Sequence, residues 1–256
     1  MPFVLADVSL FQSVIIAVTA FGASILGGMA GYGTGLLLPL ALVPVIGAEA
    51  TVPVIAITAL FTNSGRALAM RQAIDWRKVA IMVPLALPMT MLAAFLFTRL
   101  DNRGAAILIG CVLVVLVPLR RLLKRIGFRL AGVPLAVSGG VYGFVTGGST
   151  GAGVILVSFL MASGLTGASV IATDAAISIL IGFAKASTFA SLGALPSALF
   201  LFALLVGLST VPGAFIAKRI LDRLPVKVHT ALLDGVVVAG GLAMIARALL
   251  AGPAIR

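Results

Sequence analysis

Several residue types are nearly missing from this 256-residue chain, and each shortage closes off a class of function. There is one cysteine, Cys111, so no internal disulfide can form, and a structural zinc site or iron–sulfur cluster is not expected. There is one histidine, His229, which rules out a bis-histidine haem within the chain. The seven acidic residues are scattered, with only Asp222 and Asp234 within 20 positions of each other. A membrane enzyme acting on lipid or isoprenoid usually needs clustered carboxylates to hold a metal, so that class is disfavoured and no enzyme activity is expected. No nucleotide-binding P-loop is present. Charged residues make up only 10% of the chain, against about 25% in an average soluble protein.

What fills the space is apolar. Hydrophobic residues reach 61%, and the mean hydropathy is +1.25. A soluble core of this size cannot hide that much apolar surface beneath a polar skin. Long apolar runs without alternation argue for helices rather than a β-barrel. The reading is a polytopic all-α integral membrane protein, one domain over residues 1–256. The net charge of +11 would suit nucleic acid, but membrane topology accounts for it, so no nucleic-acid partner is expected. No basic residue precedes Arg66, so the first apolar stretch lacks the positive flank of a cleavable signal and is expected to be a retained span.

Two apolar segments, Leu36–Gly47 and Gly153–Ser163, are too short to cross a bilayer core, which takes about 20 helical residues. They hold matching places in a repeated order. Gly22, Gly33 and Gly35 recur 118 residues later as Gly140, Gly151 and Gly153. Arg66 recurs as Lys185, 119 residues later. The expected organisation is therefore a first repeat over 10–119 and a second over 131–250. Basic residues gather at Arg71, Arg77 and Lys78, at Arg120 to Arg129, and at Lys218 to Lys227. All three clusters fall on one side only if each short segment counts as a passage, giving five per repeat. Cytoplasmic loops carry the excess of lysine and arginine. Both termini are then expected outside, and an odd number of passages inverts the second repeat.

The segments Gly27–Gly35 and Gly147–Gly153 each open one of the short helices. Irregular backbone at membrane depth is tolerated only beside protein or a water-filled cavity. Helix N-termini there present N–H groups and the positive end of the dipole. Gly31, Gly33, Gly35, Gly148 and Gly151, with the hydroxyls of Thr34, Ser149 and Thr150, have the makeup of an anion site at a repeat interface. Close helix packing is the competing explanation for the glycines. Lys185, far from any other basic residue, is expected to face the anion pathway. Arg66 either does the same or snorkels to the interface. Asp174 is a candidate proton-coupling carboxylate, with an interfacial helix cap as its alternative. Asn63, Ser64, Ser187 and Thr188 flank the two cations. Trp76 reads as an interfacial anchor, Glu49 and His229 as surface or interface residues, and Asp222 with Arg223 as a loop pair. Pro39, Pro84, Pro88 and Pro212 are expected to kink or break spans.

The glycine-rich stretch 22–35 running into Leu36-Leu37-Leu38-Pro39 resembles the TauE/SafE family of sulfite exporters. So do Ala73-Ile74-Asp75-Trp76-Arg77 and the second glycine segment, 139–153. The resemblance covers nearly the whole chain as two copies of that family's domain. Departures fall at Met29, Ala30 and Tyr32, and at Gly193-Ala194-Leu195-Pro196. The resemblance implies a bacterial inner-membrane protein that moves small sulfur-containing anions such as sulfite and sulfoacetate. The expected function is secondary transport, most simply export, of sulfite or a small sulfonate or carboxylate. A proton is a possible coupling ion, and no cofactor is expected. A non-transporting membrane partner and an anion channel are the alternatives.

Overall fold

The computed structural model describes residues 10–30, 33–126, 128–221 and 227–250. Nine α-helices run through them: α1 (Leu10–Ala30), α2 (Gly33–Ala69), α3 (Trp76–Phe97), α4 (Asn102–Ile126), α5 (Gly132–Gly148), α6 (Gly153–Ala162), α7 (Ala168–Ser191), α8 (Ser197–Leu221) and α9 (Lys227–Leu250). No strand occurs among the described residues. Four helices are long and apolar enough to cross a membrane: Thr34–Ala69, Trp76–Phe97, Asn102–Leu119 and Ala168–Ser191. The protein is a polytopic helical membrane protein.

The helix α2 is two helices end to end. Gly47 stands between them at φ 79° and ψ 165°, outside helical geometry. That φ lies in the region glycine enters at little cost. The first piece, 33–46, is roughly 21 Å long and α6 roughly 15 Å, both well short of a hydrocarbon core of about 30 Å. The break therefore falls at Gly47 and not at Pro39, which sits inside the helix with Pro44 and Pro53. Pro84 and Pro88 likewise lie within α3, and Pro212 within α8, so none of the expected breaks occurs at a proline.

Loop contacts show which ends lie together. The Asn102 side chain at the start of α4 accepts from Ala48 N at 2.6 Å, capping the helix 48–69 across 54 residues of sequence. Gly47, exposed Glu49, Asn102 and Arg103 thus share one end of the bundle. At the other end, Lys78 Nζ donates to the Ser163 carbonyl at 3.0 Å, and Leu130 N to that of Ala162 at 2.9 Å. The starts of α3 and α5 and the finish of α6 meet there, with Arg71, Arg77, Lys78 and Arg129. The piece 33–46 and α6 accordingly run inward from opposite ends. Of the third basic cluster, Arg223 lies outside the described residues, as does its loop partner Asp222, and the side chains of Lys218, Arg219 and Lys227, like that of His229, are not described.

Packing partners come in matched pairs. Helix α3 lies on α5 as α8 lies on α1, α7 meets α3 as α2 meets α8, and α4 and α9 pair with each other, as do α2 and α7. Between α3 and α5 the contact is backbone to backbone. A Cβ on Gly139, Gly143 or Gly147 would run into the carbonyls of Met82, Ala86 and Thr90 in turn. The Thr90 hydroxyl bridges the pair, its one proton shared between Ala86 O at 2.8 Å and Gly143 O at 3.0 Å. Lipid supplies no hydrophobic drive between helices, so such close approach is what holds them. The packing explanation for glycine is correct for this stripe.

Candidate functional site

Where the two half-helices meet, their first turns nearly touch. A Cβ on Gly35 would come within 2.8 Å of Gly151 N, and one on Gly151 would collide with Leu36 Cδ2. Gly151 also has φ +80°. Both positions need glycine because another helix end occupies the side-chain space.

Beside this junction lies a cavity of about 100 Å³, room for several waters or an anion of a few heavy atoms. Thr34, Gly35, Ser149, Thr150 and Gly151 line it from the two helix openings. Arg66 and Asn63 line it from α2, and Lys185 and Ser178 from α7. Thr150 Oγ1 is buried and has no hydrogen-bond partner among the described residues.

The two cations are held differently. Arg66 is 5% exposed and forms an ion pair with Asp174, Nη2 to Oδ2 at 3.0 Å. The same nitrogen donates to Asn63 Oδ1, one helical turn back. Lys185 is also 5% exposed. Its ammonium donates to the carbonyls of Thr146 at 2.6 Å and Ser149 at 2.7 Å. These belong to the C-terminal end of α5, where carbonyls lack intrahelical partners and the dipole is negative. Lys185 therefore caps α5 while standing beside the start of α6. An ammonium has three donors, and these carbonyls use two. The Phe189 ring lies 6.0 Å from Nζ and packs edge-on against Phe97.

Seven of the residues expected at an anion site line this cavity: Thr34, Gly35, Arg66, Ser149, Thr150, Gly151 and Lys185. Gly33 opens α2, while Gly31 lies outside the described residues. Gly148 faces α3 instead, 3.4 Å from Ala93 O as a Cβ would measure it. Asp174 stands behind Arg66, fully buried in the interior of α7, whose N-cap is Gly167. Its reading as an interfacial cap is overturned, and so is snorkelling of Arg66. Trp76 is 62% exposed at the start of α3. Ser64 and Ser187 line a separate apolar groove between α2, α7 and α8. Thr188 Oγ1 donates within its helix to Ala184 O.

Sequence reasoning passed over Thr62, Tyr142, Thr146 and Ser178, which also line the cavity. Tyr142 shares a hydrogen bond of 3.1 Å with Ser178. As one of two tyrosines, placed inside an apolar span, it was the one available signal. Among the described residues, no three histidine, cysteine or acidic side chains gather as a metal site.

No curated protein and no solved structure gives a significant match to the chain. The family model described as Sulfite exporter TauE/SafE matches residues 16–244. With nearly its whole length covered, the chain belongs to the TauE/SafE sulfite exporter family, a family of membrane transporters.

Proposed function

We propose that this protein is a secondary carrier that exports sulfite or a small organosulfur or carboxylate anion across the bacterial inner membrane, binding it in the cavity between the two half-helices. The observation that carries this reading is the meeting of two helix N-termini at a cavity lined by Lys185 and by a Thr150 hydroxyl without a hydrogen-bond partner among the described residues. Backbone N–H groups and the positive dipole ends favour an anion there. Glycine at 35 and 151 lets the two opening turns come this close together.

The halves 10–119 and 131–250 are inverted copies on this reading. The matched packing pairs and the opposite directions of the half-helices support it. Rocking of one half against the other would expose the site to each side in turn. With Arg71, Arg77, Lys78 and Arg129 at the cytoplasmic end, both termini lie outside. Asp174 is the proposed proton carrier, because it alone among the described carboxylates is buried beside the site. A proton taken up there would loosen its grip on Arg66.

Uptake of labelled sulfite into proteoliposomes tests the proposal. Saturable flux, lost in Lys185→Ala, is expected. Equal flux in protein-free vesicles would refute it. Asp174→Asn should remove the pH dependence of that flux, and an unchanged pH profile would take Asp174 out of the coupling.

A further inference from the structure

The charges around the cavity do not balance. Arg66 and Asp174 neutralise each other. Lys185 meets two carbonyl oxygens and, among the described residues, no carboxylate. Apart from Tyr142, no other ionisable side chain among the described residues lines the cavity. The glycine segment 27–33 contributes no charge either.

The imbalance has a place in the repeat. The offset of 119 residues that relates Arg66 to Lys185 relates Asp174 to Ile55. Ile55 is buried and lines the cavity. The second half thus supplies a carboxylate to the first half's cation, and the first half returns an isoleucine.

We propose that the site selects monovalent oxyanions by charge number, taking sulfite as the hydrogensulfite monoanion, one negative charge matching the one positive charge left over at Lys185. The inference rests on the anion-carrier reading and names its substrate class. In a low-dielectric enclosure an unmatched charge is expensive. A monoanion makes the loaded site neutral. A dianion leaves a second negative charge close to the Arg66–Asp174 pair, with no cation for it. The Thr150 hydroxyl, the third Lys185 donor and the N–H groups of the opening turns serve the oxyanion's oxygens without regard to what else it carries.

Equilibrium binding of labelled methanesulfonate and labelled sulfate to the purified protein at pH 7.5 separates the cases, because the first is a monoanion there and the second a dianion. Methanesulfonate should bind saturably, and sulfate at least tenfold more weakly. Asp174→Asn leaves two positive charges and should narrow or reverse that preference. Ile55→Asp supplies the missing carboxylate and should abolish methanesulfonate binding in protein that still elutes as a single species. Sulfate binding the unaltered protein as tightly as methanesulfonate, or neither anion binding, overturns the proposal whatever the variants do. Sulfite flux measured on the same preparation distinguishes the two failures. Flux without charge preference removes this inference alone, whereas no flux and no binding removes the carrier reading as well.

Discussion

Arg66 and Lys185 occupy matching places in the two halves, and the molecule treats them differently. Arg66 is paired with a carboxylate from the other half and with a side-chain amide from its own turn. Lys185 closes the end of α5 through two carbonyls and keeps a side toward the cavity. One cation is committed to holding α2 against α7. The other joins the fold to the site. A lone cation inside an apolar span therefore signals two different tasks, and only its partners tell which.

The comparison breaks most severely at Asp174. Asp174→Ala leaves the Arg66 guanidinium buried without its carboxylate, a change that costs about 3–5 kcal/mol. The folded yield in detergent should fall steeply. Replacing both residues, as Arg66→Met with Asp174→Leu, should recover much of that loss, since buried ion pairs are often replaceable by apolar residues. Thermal unfolding of the three variants checks this, and a double variant no more stable than Asp174→Ala would count against it.

The glycines sharpen the comparison next. Gly151→Ala meets both an unfavourable φ and the Leu36 side chain, whereas Gly164→Ala meets an unfavourable φ of +93° and nothing within 4 Å. Left-handed backbone alone costs roughly 1–2 kcal/mol, and overpacking adds about 1–3 kcal/mol. Gly151→Ala should therefore destabilise more, and it should also lower sulfite flux while Gly164→Ala leaves flux unchanged. Equal unfolding temperatures for the two would deny the crowding at the junction.

Thr150→Val separates stability from binding. Its hydroxyl has no partner to lose among the described residues, so the fold should be unchanged or slightly firmer. Sulfite affinity should weaken about tenfold, the worth of roughly 1.4 kcal/mol. Unaltered affinity in a titration would mean that the hydroxyl does not meet the anion. The smallest effect is expected at Gly22→Ala, where a Cβ meets nothing within 4 Å. Unfolding temperature and flux should both match those of the unaltered protein.

Much of this architecture was legible in the residues. Apolar excess, two segments too short to span, and glycine clusters opening each of them pointed to half-helices running inward, because length and backbone satisfaction are local constraints. The ion pair was not legible. Arg66 and Asp174 lie 108 positions apart, and the antiparallel contact of α2 with α7 alone brings them together. Composition likewise could not divide the glycines. Gly143 and Gly151 look alike in sequence, yet one meets a carbonyl of α3 and the other the facing half-helix. Proline marked no break for a related reason, since α3 and α8 run on as helices past theirs while α2 breaks at Gly47.

The central claim is that the anion binds beside Lys185 at the junction of the half-helices. Equilibrium binding of labelled sulfite to purified protein, unaltered and as Lys185→Ala, tests it most directly, with chromatography showing that both are folded. The account predicts saturable binding in the first and none in the second. Equal binding by two folded proteins would contradict it.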